Sequence, residues 1–337
     1  MAEKVNKKKK KGKIRETIEI FLWAILIALI IRIFLIEGYR IPTQSLYPNY
    51  IENDHILVNK LKYGPKLPLV DGVKLPGFTK PSRGDIVVFE NPRYESPGVL
   101  LEFLDLITFS AFGIDQHPIK NPKNFIKRCL ALPGDKVEWI ENRKIKINDD
   151  LLEKSEKEIF NYNDVEWGQS AILKRVDMYK ETNGENTYKV QYRHLDNPDR
   201  ANNTIIDYPI TYYMPEKGDV LKIERKSPNS RELIYKIDDI DITHLWETEK
   251  KLNARIRGWE EIIKEESEIE LTHNYLLKET KDNKTFTYEI KHNYYFMIGD
   301  NRDNSEDGRF FGPVRDNLII GSPFIRYFPF NRMACVD

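Results

Sequence analysis

The chain has 337 residues, with 53 Lys and Arg against 53 Asp and Glu, 40% hydrophobic, 18 prolines and two cysteines. That length buries a sizeable core in one large or two modest domains, and the charge and proline content exclude collagen-like, coiled-coil and polytopic membrane classes. Cys129 and Cys335, 206 positions apart, exclude a disulfide framework and a cysteine zinc site.

The balanced charge hides an asymmetry. Residues 1–15 carry eight basic groups and one acid, a net +7, so the remainder carries −7. Next comes an apolar run from Ile18 to Ile36, broken by Glu19 and Arg32. About 20 apolar residues span a bilayer core, and Arg32 can lay its stem along the helix with its charge at the interface. Ile36-Glu37-Gly38-Tyr39-Arg40 has no small-residue cleavage site. Residues 1–17 read as a basic cytoplasmic tail and 18–36 as an uncleaved transmembrane anchor, with everything beyond it outside. The alternative is a buried core helix beside a basic tail. No nucleic-acid partner is expected, because lysines flanking an apolar helix are a topology signal.

The fold beyond the anchor reads as mainly β: an antiparallel, barrel-like core from 37–140 and 291–330. Ile56-Leu57-Val58, Asp85 to Phe89 and Lys136 to Trp139 are strand-like runs between Gly and Pro. Four Gly-Asp pairs begin at Gly84, Gly134, Gly218 and Gly299, three of them before alternating apolar residues, as turns entering strands do. Val99–Ile114 is an apolar run with a polar stripe at Glu102, Asp105 and Thr108. It reads either as an interfacial helix with its polar stripe toward water or as a helix packed on the sheet. Residues 141–290 are rich in Asn, Glu, Lys and Tyr and read as an inserted α+β accessory region with a helix near Trp246–Glu268, a solvated surface and no chemistry.

H-E-x-x-H, P-loop and G-x-S-x-G patterns are absent, and the six histidines are scattered. Four segments stand out. Ser45 lies between Pro42 and Pro48, on what reads as a stiff, extended segment. Arg83-Gly84-Asp85 leads into a strand. In Phe125-Ile126-Lys127-Arg128-Cys129, alternation puts Lys127 on the face of Phe125 and Cys129. That lysine is either turned inward with a lowered pKa or a strand-edge residue facing water. The fourth segment is the polar turn Gly299 to Arg309. Its Asp303-x-Ser305-x-Asp307-Gly308 opens like a calcium loop, but Val314 stands where a bidentate Glu is needed.

Taken in order after an anchor, these segments resemble bacterial type I signal peptidase, the Ser-Lys leader peptidase family. The resemblance covers the anchor and core but not residues 141–290. It implies Ser45 as nucleophile and Lys127 as general base. It also implies an oxyanion hole from Thr43 and the Ser45 N–H, and Ser305 as the hydroxyl orienting the lysine. Gly299, Asp300, Arg302, Asp307 and Arg309 would brace the turn. Neither metal nor cofactor is implied. The implied partners are the lipid bilayer and exported preproteins, cut after small residues at −3 and −1. Leu46, Gln44 and Gly308 depart from the family's usual Met, Gly and Ser; Gly308 is expected to weaken hydrogen bonding near the base. The rival readings are another Ser-Lys peptidase, or a catalytically inactive anchored binding protein on the same core.

Overall fold

The computed structural model describes residues 13–68, 73–94, 96–108, 122–140, 143–161, 175–193, 210–228, 230–243, 278 and 285–336. The basic run before Lys13, the helix expected near Trp246–Glu268 and the last residues of the 99–114 run lie outside them. Helix α1 (Lys13–Ile30) continues into a wide turn, Ile31–Leu35, closed by the Ile36 N–H on the Ile31 carbonyl five residues back. Together they give a 22-residue apolar helix, Ile14–Leu35, of mean hydropathy 2.6, long enough to cross a membrane and not covered by the rest of the chain.

The rest is mainly β, as expected, and every strand pairing below is antiparallel. Strands β1 (Ile36–Arg40), β2 (His55–Asn59), β3 (Ile86–Glu90) and β4 (Asn124–Ala131) belong to an eight-stranded sheet. Strand Ile319–Phe328 lies between β2 and β3, and Tyr294–Ile298 lies beyond β4. Both faces of this sheet are covered. Val87, Phe89, Cys129 and Met297 pack on one side; Ile56, Val58, Ile86 and Val88 pack on the other. Hence Ile86 to Phe89 of β3 and Lys127 to Ala131 of β4 are buried on consecutive residues rather than on alternate ones.

Three of the Gly-Asp pairs build one turn three times. Gly84, Gly134 and Gly218 have φ of 88°, 82° and 102°, open to glycine but strained for other residues. The following carboxylate accepts from the backbone N–H three residues upstream: Ser82 to Asp85 at 3.0 Å, Leu132 to Asp135 and Glu216 to Asp219 at 2.8 Å each. Strand β5 (Lys136–Ile140) leaves the second of these turns and pairs with Lys144–Ile147 and Ile210–Tyr213. A second core, including Val137, Ile145, Ile223 and Tyr235, extends to Phe296 of the main sheet. Pairing therefore runs across residue 140, where the sequence reading puts a boundary.

Candidate active site

Ser45 sits in the connection between β1 and β2. This segment is not extended, contrary to the reading from its prolines. Tyr47 N–H bonds the Gln44 carbonyl at 3.2 Å and Tyr50 N–H bonds the Leu46 carbonyl at 3.1 Å, wrapping it into a tight turn. Ile41, Leu46 and Tyr50, each 2% exposed or less, pin the turn into the core. Leu46 fills the place of the family's Met without exposure, as a volume-conserving exchange allows.

Lys127 projects from β4 and is 3% exposed, so the water-facing alternative fails. Its Nζ donates to Ser45 Oγ at 2.6 Å, and the ammonium lies 5.4 Å from the centre of the Phe125 ring. Among the described residues no carboxylate lies within ion-pair distance of it. Burial is the largest influence on this amine and pushes its pKa down to about 8, against the more distant pull of Asp307, Glu306 and Asp300. A lysine near 8 is neutral in about one molecule in ten at pH 7, whereas an unperturbed one is almost never neutral. The pair has the geometry of a hydroxyl beside its base. Thr43 Oγ1 lies 3.4 Å from Ser45 Oγ, on the same small turn.

The polar turn after Tyr294–Ile298 closes over this pair. Asn301 N–H donates to the Ser45 carbonyl at 3.0 Å, and Asn301 Nδ2 donates to the Gln44 carbonyl at 3.1 Å. These bonds hold the Ser45 turn by its backbone, whatever the side chain at position 44. Ser305 is brought to the site but does not make the expected bond to the lysine: its buried Oγ has no hydrogen-bond partner. It is instead pressed against Gly299. A Cβ there would lie 2.1 Å from Ser305 Oγ and 2.6 Å from the Ser45 carbonyl oxygen, so only glycine lets the two serines approach.

Asp307 caps the short helix Gly308–Phe311, accepting from Arg309 N–H and Nε and from Gly299 N–H. Burial raises its pKa, but Arg309, the Gly299 N–H and Lys127 together leave it below the ordinary value. Gly308, expected to loosen this bonding, leaves it intact. A Cβ at 308 would stand 2.8 Å from the Met297 carbonyl, so a serine has no room unless the backbone shifts. Asp303 accepts from Arg193 N–H and pairs with Arg143 at 3.4 Å. The carboxylates of the calcium-like pattern are thus engaged by backbone donors and arginines. Among the described residues no cluster of His, Cys, Asp and Glu fits a metal ion.

Sequence reasoning missed the bracing behind the turn. Arg128 forks onto Asp300 with two bonds of 2.7 Å and stacks 3.8 Å from the Tyr188 ring. Arg302, 1% exposed, pairs with fully buried Glu181, and Gln191 exchanges backbone bonds with Asp300 and Arg302. Tyr188, Glu181 and Gln191 belong to the hairpin Arg175–Arg193, in the stretch read as an accessory region with a solvated surface and no chemistry. The correction has a physical cause. In a polar segment, a buried carboxylate with a distant partner looks the same as a solvated one. For Arg128 a signal was available, since a Lys-Arg pair inside an apolar strand must point to opposite faces.

Residues 14–328 match the family described as signal peptidase, peptidase S26. A signal peptidase I of Buchnera aphidicola is 26% identical over 98% of this chain and 80% of its own length. One from Aquifex aeolicus is 25% identical over 93% and 84%. One from Pseudomonas aeruginosa is 30% identical over 53% of this chain and 52% of its own.

Proposed function

The chain belongs to the peptidase S26 family of signal peptidases, and from that premise we propose how its residues divide the work. It is a serine endopeptidase that removes signal peptides from preproteins. The observation that carries the assignment of roles is the 2.6 Å bond between Lys127 Nζ and Ser45 Oγ in a buried pocket without a paired carboxylate. Neutral Lys127 takes the Ser45 proton as Oγ attacks the scissile carbonyl carbon. The new oxyanion is held by the Thr43 hydroxyl and the Ser45 N–H. Lys127 then gives its proton to the departing amine, and water, activated by the same amine, releases the acyl-enzyme. Ser305, the hydroxyl proposed to orient the lysine, stands against Gly299 within the closed turn. Asp300, Arg302, Asp307 and Arg309 hold that turn.

The apolar helix anchors the enzyme in the membrane. The lysine-rich start lies in the cytoplasm and the catalytic domain on the opposite side, where signal peptides emerge still held in the bilayer. The cut follows small side chains at −3 and −1 of the precursor, as the family resemblance implies. Nothing supports the inactive-protein reading, since the chain belongs to a family of signal peptidases.

The test is incubation of the detergent-solubilised full chain with a purified precursor carrying an A-x-A site, with the products weighed by mass spectrometry. One cut after that site is expected from the parent and none from Ser45→Ala. No cut by the parent, or an active Ser45→Ala, overturns the assignment. Protease added to intact cells digests the domain but spares the basic tail; the reverse pattern overturns the orientation.

A further inference from the structure

Helix α2 (Val99–Ile107) is assembled inside out. A helix packed on a sheet covers its apolar residues and turns its polar stripe to water. Here Asp105 is 7% exposed, and Glu102 is held by Ser96 Oγ at 2.8 Å and paired with Lys123 at 3.8 Å. The apolar residues point outward instead: Leu100 is 73% exposed, Val99 64%, Phe103 41% and Leu101 39%. Such a patch on one short element is unfavourable in water and marks a surface that something apolar covers.

The fold also shows where this surface lies. Arg32, in the last turn of the apolar span, donates through Nη1 to the Leu106 carbonyl at 3.1 Å, in the last turn of α2, where a cation suits the negative end of the helix. Its Nε bonds Glu37 at 3.0 Å, and Glu37 pairs with Lys60 at 2.6 Å. Lys60 returns to the span by donating to the Arg32 carbonyl at 2.9 Å. This charged collar ties the C-terminal end of α2 to the end of the span, where the exposed apolar surface of the span stops.

We propose that α2 lies in the membrane–water interface at that end of the span, its apolar face in lipid, as a second contact that holds the catalytic domain against the bilayer. This rests on the membrane-anchored reading of α1. Because α2 has no basic residue, the attachment is apolar and needs no anionic lipid. It lowers Ser45 toward a cleavage site at the end of a membrane-held peptide and limits the domain's rotation about its anchor.

Depth-dependent quenching of the full chain in phosphatidylcholine vesicles tests this. Cys335→Ser removes the exposed thiol, Cys129 is buried, and one cysteine at position 100, 103, 23 or 226 carries an environment-sensitive fluorophore. Labels at 100 and 103 should lose at least half their emission to lipids spin-labelled near the headgroup and be shielded from aqueous iodide. A label at 226 should behave oppositely. Quenching at 100 and 103 by iodide alone overturns the proposal, because the face is then in water. Protection from both quenchers also overturns it, because a protein then covers the face. In either case, lipid quenching at position 23 leaves the anchor reading standing; its loss overturns the anchor as well. Leu100 is exposed enough that the substitution does not threaten folding, and an unchanged result in vesicles with added phosphatidylglycerol is expected from the apolar attachment.

Discussion

Lys127 and Arg128 are neighbours on one strand, both nearly buried, yet the two faces of the sheet treat them in opposite ways. Arg128 meets Asp300 in a two-bond fork and a tyrosine ring, and Asp300 outweighs burial to hold its charge more firmly than usual. Lys127 meets a serine hydroxyl and no paired carboxylate, and burial draws its amine toward neutrality. A buried cation with a carboxylate partner keeps its charge; one without such a partner is drawn toward neutrality. The same division runs through the turn 299–309, whose arginines are all compensated by carboxylates while its serine is left without a bond.

That contrast is most sharply broken at the dyad. Ser45→Ala, Lys127→Ala and Lys127→Arg should each lower kcat/KM for precursor cleavage by about four orders of magnitude, since the proposed mechanism has both groups act in one step. Thermal unfolding in detergent should move little; an active Lys127→Arg would remove proton transfer from the lysine's role. On the bracing side, Glu181→Ala leaves Arg302 buried and unpaired, and should cost about 3–5 kcal/mol in denaturant unfolding. Adding Arg302→Met should recover most of it, and a loss below about 1 kcal/mol would mean that the hairpin does not support the turn.

Smaller effects sharpen the comparison. Thr43→Val keeps the shape but removes the hydroxyl, and should lower kcat about a hundredfold with KM nearly constant. A matching rise in KM would place Thr43 in substrate binding instead. The pH profile should move least. If Lys127 acts as the proposed base, cleavage requires its neutral amine, and kcat/KM should rise with pH through about 8 and level off above it. The gain between pH 7 and pH 9 is about tenfold. A rate still climbing steeply near pH 10 would mean an unperturbed lysine.

Much of the fold was legible because its signals are local. The apolar run needs only its length, and the Gly-Asp turns need only a glycine at positive φ followed by a carboxylate that bonds back three residues. The candidate dyad was legible through family resemblance rather than spacing, for 82 residues separate Ser45 from Lys127. The hairpin Arg175–Arg193 was illegible because Glu181 acquires meaning only from Arg302, 121 residues away. For α2 the sequence was right about its amphipathic pattern and silent about its direction. The same stripe is written whether the polar side faces water or, as here, the protein.

The sequence by itself determined the apolar span, the β-rich composition of the core, the turns that enter its strands and the residues from which a Ser-Lys pair could be made. Each depends on chain-local chemistry: hydropathy over a length, pleat alternation, or the freedom of glycine. Tertiary structure decided which of two adjacent cations is paired, which serine stands at hydrogen-bond distance from the lysine, and which side of α2 faces out. Those outcomes depend on desolvation and on partners distant in sequence, and burial acquires a sign only when the groups that share it are brought together.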